Sequence, residues 1–523
     1  MRVPTPVVLF FINKSIYFGG RSSTGRVLDC VSRGCGFKTP RLALMLTSLI
    51  ALPLLGSIAV FSARTESLVR LLGTLTSLVT FILSLSLWVF FDNLDTKYQL
   101  TEVLPWFGSM NIPLYVGIDG ISLFMILLTT FLTPICIVFS FQSIKKQLKL
   151  FVVLFLIMES LLILTFSVLD LITFYVFFES ILIPMFLLIG IWGSRSRRIH
   201  AAYYLFYYTL IGSIFMLLGI LYIYSELGTT NIYALLAHPF SESEQLLLWL
   251  LFFIAFSVKV PVVPFHIWLP EAHVEAPTAG SIILAGIVLK LGGYGFLRFV
   301  LPIFPYATSY FLPLVFTVAC VSIVYSSLTT LRQVDLKKII AYSSVAHMNL
   351  GLLGIFALNT QSIEGAVLLM IGHGIVSSTL FLLVGVLYDR YHTRLIKYYS
   401  GLTQLMPFFS AFFLFFSLAN MGLPGTSNFV GEILVFIGLF KTSTFITFVS
   451  AWGMVLCAGY SLWLHNRINF GTLKFKYIKT FTDMTLTETH ICGLMCVLSL
   501  VLGIYPKPLL DSIHMSVGLT LYV

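Results

Sequence analysis

Residues 256–298 read FSVKVPVVPFHIWLPEAHVEAPTAGSIILAGIVLKLGGYGFLR, the end of one long apolar run and the whole of another, each holding a lysine, joined by a proline-bearing segment. Lys259 lies deep in the first run and is followed by Pro261 and Pro264. Proline removes an amide donor and clashes with the carbonyl one turn back, so the spacing predicts a helix that breaks just after the lysine. Lys290 sits in the second run. Runs of about 20 residues cross ~30 Å of hydrocarbon, and a charge at the centre of such a helix costs ~2.5–3.5 kcal/mol even on the forgiving insertion scale. Unwound backbone at that depth is tolerated only where it is buried in protein or lines a wet cavity.

Outward from this stretch, apolar runs recur along nearly the whole chain. The 523 residues are 58% hydrophobic and only 10% charged, too little charge to build a soluble surface. The expected fold is an all-α membrane protein of about fourteen transmembrane helices. The spans fall near 42–61, 67–91, 119–142, 150–168, 171–192, 201–224, 245–268, 279–300, 309–330, 338–358, 364–388, 404–424, 443–463 and 489–505.

The loops test this register through the positive-inside rule. Lys145, Lys146 and Lys149, then Arg195, Arg197 and Arg198, then Arg332, Lys337 and Lys338, then Arg390, Arg394 and Lys397, and lastly Arg467, Lys474, Lys476 and Lys479 all fall on one face. Asp92, Asp95, Glu102, Asp170, Glu226, Glu242 and Glu244 fall on the other, with both termini. Glu271 and Glu275 are the exception on the basic side. The net charge of +10 is thus an orientation signal and not a nucleic-acid footprint. Residues 1–41, with Arg2, Lys14, Arg21, Arg26, Arg33, Lys38 and Arg41, fit the acidic face poorly. Three readings stay open for them: a targeting extension, an ordered terminal arm, or a start codon drawn too early.

Glu179 stands in the middle of the fifth span, and Glu432 follows Pro424, Gly425 and Gly431 in the twelfth region, where a second break is expected. The two breaks lie five spans apart, as they would if spans four to eight and nine to thirteen were related repeats of opposite orientation; such broken helices at matching places mark transport sites. His347 and His373 lie inside the tenth and eleventh spans beside Ser343, Ser344, Ser377 and Ser378. With carboxylate and lysine further out they suggest a hydrated relay, because neutral imidazole accepts and passes a proton near neutral pH. His266 and His273 are mouth or structural groups, and His200, His238, His392, His465, His490 and His514 are placed in loops or termini. Glu159, in the fourth span, is either a second proton stop or a packing residue.

The seven cysteines, Cys30, Cys35, Cys136, Cys320, Cys457, Cys492 and Cys496, are scattered, and no spacing supplies a four-ligand metal site. The 15% aromatic content reads as packing and interface belts. GGRSSTGR, at Gly19–Arg26, lacks the GK[ST] of a phosphate loop.

FFESILIPMFLLIGIWG (177–193), the opening stretch, DLKKIIAYSSVAHMNLGLLG (335–354) and LPGTSNFVGE (423–432) together resemble the antiporter-like subunits of proton-pumping NADH:quinone oxidoreductase, respiratory complex I, from about residue 42 to the end. Glu432 is similar to the glutamate of the M-type members, where their sisters and the related multisubunit antiporters usually carry lysine. Residues 276–281 are like mitochondrial and bacterial members and unlike the plastid counterpart. The long basic start and Glu159 depart from the pattern.

The resemblance implies N-terminal helices over 42–142, two inverted five-helix repeats over 143–300 and 301–465, and a loop and last helix over 466–523. It implies a membrane-arm subunit of a mitochondrial inner-membrane complex, with the chain 2 and chain 5 antiporter-like subunits on either side, although a bacterial plasma membrane would serve the same design. It also implies that Glu179 pairs with Lys259, that Lys290 connects the half-channels and that Glu432 is the terminal proton site. NADH, flavin, iron–sulfur clusters and ubiquinone would belong to other subunits, with no cofactor or metal here. At ~4 Å and an effective dielectric of 20 such a pair is worth about 4 kcal/mol, roughly three pK units, enough for its separation to release a proton. Two rivals share these features: a subunit of a multisubunit sodium/proton antiporter, and a structural scaffold subunit with silent remnants of a channel.

Overall fold

The structure, a computed structural model, describes residues 44–107, 112–474 and 481–522. The basic segment 1–41, Cys30, Cys35, Lys476 and Lys479 lie outside the described residues.

Twelve helices are long and apolar enough to cross a membrane. They are α1 (Met45–Ser62), α2 (Glu66–Phe90), α3 (Gly120–Ser143), α4 (Leu148–Ser167), α5 (Leu171–Trp192), α6 (Arg198–Leu227), α10 (Thr278–Ile303), α11 (Pro305–Arg332), α12 (Leu336–Phe356), α13 (Thr360–Tyr391), α16 (Thr444–Asn469) and α17 (Leu486–Ile504). The two other expected spans, the seventh and the twelfth, are both interrupted. The first becomes α8 (Glu242–Lys259) and α9 (Trp268–Glu275), and the second α14 (Pro407–Asn420) and α15 (Ser427–Thr442). A short helix, α7 (Ile232–Ala237), precedes α8, and α18 (Lys507–Tyr522) closes the chain.

Local chemistry sets where these helices begin. Asp119 accepts the Ser122 amide while the Ser122 hydroxyl accepts the Asp119 amide, a reciprocal cap that starts α3. Ser241 with Glu244 does the same for α8, and Thr485 with Glu488 for α17. Each satisfies amides that a helix N-terminus leaves unpaired.

Burial sorts the spans into two shells. The apolar windows of α3, α4, α10, α12 and α13 are 83–100% buried within the chain, whereas those of the other seven spans are 22–44% buried and turn residues such as Ile82, Ile211, Phe448 and Val497 outward. A helix apolar on every side faces either lipid or other helices, and it is the inner shell that carries Glu159, Lys290, His347 and His373.

Two features depart from the expected arrangement, a strand pair in a chain read as all-helical and an additional helix. Residues Gln99–Phe107 (β1) and Ile112–Ile118 (β2) form an antiparallel pair between α2 and α3, where sequence reading placed only a loop. Glu102, expected as a loop acid, reaches from β1 to accept the Leu46 and Thr47 amides at 2.9 and 3.1 Å and so caps α1; burial pushes its carboxyl above the usual carboxylate range. The second unexpected element is α18, held to the start of α3 by the Gly120 amide donating to Ser516 Oγ at 2.9 Å.

Candidate functional site

Lys259 is the last residue of α8 and is 1% exposed. The helix stops there as its prolines predict, and the carbonyls and amides that the break frees are met from elsewhere in the chain. Trp268 Nε1 donates to Val258 O at 2.9 Å, Asn349 Nδ2 to Pro261 O at 3.2 Å, and the Val263 amide to Ser322 Oγ at 2.9 Å. Helices α11 and α12 therefore hold the break open at a fixed shape, as unwound backbone at membrane depth requires. At a helix C-terminus the ammonium also meets the negative end of the macrodipole.

Glu179 and Lys259 are not in direct contact in this conformation. No ion pair within 4.0 Å joins them, and neither Glu179 Oε1 nor Lys259 Nζ makes a hydrogen bond with another described group. The ammonium instead lies 4.4 Å from the ring centroid of Phe178, the neighbour of Glu179, while the carboxylate faces Ser213. The lysine thus rests on an aromatic ring, a cation–π contact, and not on the carboxylate.

Beyond the break the expected residues come together. Lys290, fully buried on α10 between two π-helical turns at Leu284–Val288 and Phe296–Val300, donates to Ala285 O at 2.5 Å and lies 3.0 Å from His373 Nδ1. The rings of His373 and His347 are 5.6 Å apart, centre to centre. His347 Nδ1 is 3.2 Å from Glu432 Oε1. Four helices, α10, α13, α12 and α15, thus contribute one residue each to a single row. Close approach requires small residues around it. A Cβ on Gly292 would fall 2.9 Å from Phe256 O, and Gly422, in the second break at φ +78°, would place one 2.6 Å from Glu432 Oε2.

Other expected residues stand off the row. Glu159 accepts from Thr80 Oγ1 at 2.7 Å and packs among α2, α3 and α4. His266 lies edge-on to Tyr325, and His273, completely buried, stacks on Phe381 at 4.5 Å. His465, assigned to a loop, is in fact buried in α16 and bonded to Asn469 Nδ2 at 2.9 Å, because α16 runs several residues further than its hydropathy suggested.

Sequence reasoning missed the buried ion pairs at both ends of α10. At one end Arg298 makes a two-pronged contact with Asp119 at 2.9 and 3.0 Å and also donates to Tyr294. The arginine interrupting GYGFLRF was the available signal. At the other end Arg394 reaches Val274 O, Ser194 Oγ at 3.0 Å and Glu275, while Lys337 donates to Ala276 O at 2.8 Å. Lys338 pairs with Glu271 at 2.7 Å. The two acids that broke the charge pattern are therefore the partners of the basic face. Burial raises Asp335, just outside α12, above the usual carboxylate range, with Arg394 pulling the other way. No group of three His, Cys, Asp or Glu side chains able to hold a metal occurs among the described residues.

Two helices broken at membrane depth and a row of ionisable groups through the buried spans define the chain as an antiporter-like membrane protein. Residues 168–457 match the family described as NADH:quinone oxidoreductase/Mrp antiporter, TM. NADH-ubiquinone oxidoreductase chain 4 of Marchantia polymorpha is 56% identical over 475 residues, covering 90% of this chain and 96% of that protein. A chain of respiratory complex I from Thermus thermophilus superposes with a TM-score of 0.83 at 28% identity, covering 91% of this chain and 99% of that one. A chain of the Mrp complex from Dietzia sp. DQ12-45-1b also scores 0.83, at 18% identity, with 92% and 98% covered, which is a likeness of fold alone. The chain belongs to the NADH-ubiquinone oxidoreductase chain 4 family.

Proposed function

We infer that this chain is a proton-translocating membrane-arm subunit of respiratory complex I, in which NADH oxidation by ubiquinone drives proton transfer through the buried row. The observation that carries this reading is the file of buried groups in which Lys290 lies 3.0 Å from His373, the two imidazole rings are 5.6 Å apart centre to centre, and His347 lies 3.2 Å from Glu432. Apolar cores do not retain such groups without use, since each is costly in hydrocarbon.

The cycle turns on Lys259. In contact with Glu179 the ammonium is stabilised by about 4 kcal/mol at an effective dielectric of 20. When it moves to its perch on Phe178 that support is withdrawn, and the proton passes toward Lys290. The lysine hands it to His373 Nδ1, the two imidazoles carry it across, and Glu432 delivers it to the far side. His266 stands near the mouth of the first break, and Glu159 is an auxiliary carboxyl off the path. Pro261, Pro264 and Pro424 keep both breaks open, so that the path crosses unwound backbone and not a hydrogen-bonded helix.

In this reading the two interrupted spans also cross the membrane, giving fourteen crossings, and segments 143–300 and 301–465 are the two inverted repeats, with 42–142 and 466–523 flanking them. The chain acts as part of a translocase and does no redox chemistry; NADH, flavin, iron–sulfur clusters and ubiquinone are held by other subunits. Its neighbours are the chain 2 and chain 5 antiporter-like subunits in the mitochondrial inner membrane. A sodium/proton antiporter shares the fold, but the glutamate at 432 and the identity to chain 4 relatives favour complex I.

The test is Glu179→Ala or Lys259→Ala in the assembled complex. Proton pumping and the NADH oxidation coupled to it should collapse while the complex still assembles. Normal pumping by an assembled variant would refute the assignment, and sodium-dependent exchange without NADH oxidation would revive the antiporter.

A further inference from the structure

His347 presents its two ring nitrogens to different partners. Nδ1 faces Glu432 Oε1 at 3.2 Å, and Nε2 lies 3.6 Å from Cys457 Sγ on α16. The sulfur, only 4% exposed, meets one further residue twice: it donates to Asn420 O at 3.5 Å and accepts from Asn420 Nδ2 at 3.8 Å. Asn420 ends α14 and Glu432 lies in the second turn of α15, so thiol and imidazole together bridge the two sides of the second break. A cavity of about 20 Å³, room for one water, adjoins them and is lined by His347, Glu432, Cys457, Ser450 and Tyr460.

A thiol has one hydrogen. Asn420 O is among the last carbonyls of α14, which have no partner inside their helix. With the thiol hydrogen spent on that carbonyl, the sulfur has only acceptor capacity left for the imidazole, so Nε2 must carry the hydrogen that points at it. The hydrogen bond made by one imidazole nitrogen fixes what the other can do. Nδ1 is then the nitrogen left to exchange a proton with Glu432.

We propose that Cys457 is a positioning residue that fixes His347 with its hydrogen on Nε2, so that Nδ1 exchanges protons with Glu432. The proposal rests on the proton row described above. Besides Cys457, the titratable groups facing His347 are Glu432 on α15, His373 on α13 and Tyr460 on α16, with Lys290 behind His373. Without the sulfur the ring can adopt either tautomer, and only one of them serves the glutamate.

The test measures NADH-driven pumping against pH in proteoliposomes containing the whole complex. Cys457→Val fills the same space without polar atoms and Cys457→Ala empties it; both should displace the pH profile by about half a unit or more, the size of one lost hydrogen bond. Cys457→Ser, which keeps a donor and an acceptor, should superimpose on the unchanged chain. Glu432→Gln, run beside them, should be inactive at every pH. If it pumps normally, the row itself fails and this proposal falls with it. If it is inactive while the Val and Ala profiles match the unchanged chain, only the role of Cys457 is overturned. Should neither variant assemble, the Ser profile decides alone: superposition supports the proposal and displacement overturns it.

Discussion

Lys259 rests 4.4 Å above the ring of Phe178, and a perch of this kind is worth ~0.5–2 kcal/mol. Phe178→Leu keeps an apolar side chain and removes the ring, so the lysine should spend more of its time against Glu179 and pumping should fall several-fold in a complex that assembles normally. Unchanged pumping rates would show that the perch does nothing. At Gly422 a side chain would meet both a left-handed backbone and the Glu432 carboxylate. Gly422→Ala should cost ~1–2 kcal/mol of strain and lower pumping by displacing the glutamate, whereas Gly425→Ala, with open space around it, carries the backbone cost alone. At this scale much was legible in advance. A titratable group in an apolar run is conspicuous, and Lys290, His347, His373 and Glu432 fell into one row. Their partners were not legible, because a rotamer decides whether Lys259 touches Glu179 or Phe178. Cys457 gave no warning either, since a cysteine in an apolar run looks like any small hydrophobe.

Among the elements, both breaks were written in the prolines and glycines that follow Lys259 and precede Glu432. What holds them was not, because Asn349 and Ser322 come from spans far along the chain and read there as minor polar interruptions. Asn349→Leu leaves Pro261 O without its donor, a loss of ~1–3 kcal/mol for a buried polar group. The assembled complex should inactivate at a lower temperature, and an unchanged midpoint would mean that the break is held by packing alone. Glu102→Ala removes the cap on α1 and should cost ~1 kcal/mol, read as increased proteolysis near Leu46. The β1–β2 pair escaped notice because its alternation is interrupted by two irregularities in register. Helix α18 escaped because polar residues dilute its apolar face below the level that marks a span.

Over the whole molecule, hydropathy separates helix from loop but not inner shell from outer, since lipid and protein interior are equally apolar. Burial makes that distinction, and it also reveals that the inner shell is locked by ion pairs. Asp119→Asn or Arg298→Leu leaves one buried charge without its partner, at ~3–5 kcal/mol, and native gels should show much less assembled complex. Replacing both at once, Asp119→Leu with Arg298→Met, should recover part of the loss, because an apolar pair removes the stranded charge. A double variant worse than either single one would show that the pair does more than balance charge.

Helix α10 is fastened at its head by Lys337 and the Ser281 bond to His273 O, and at its foot by Arg298 and Asp119. A rod pinned at both ends cannot serve as a piston or slide past its neighbours. If the proposed row carries protons, the part of the rod left free to respond is the Lys290 arm between its two π-helical turns, and a change in the field of a neighbouring charge is enough to move it.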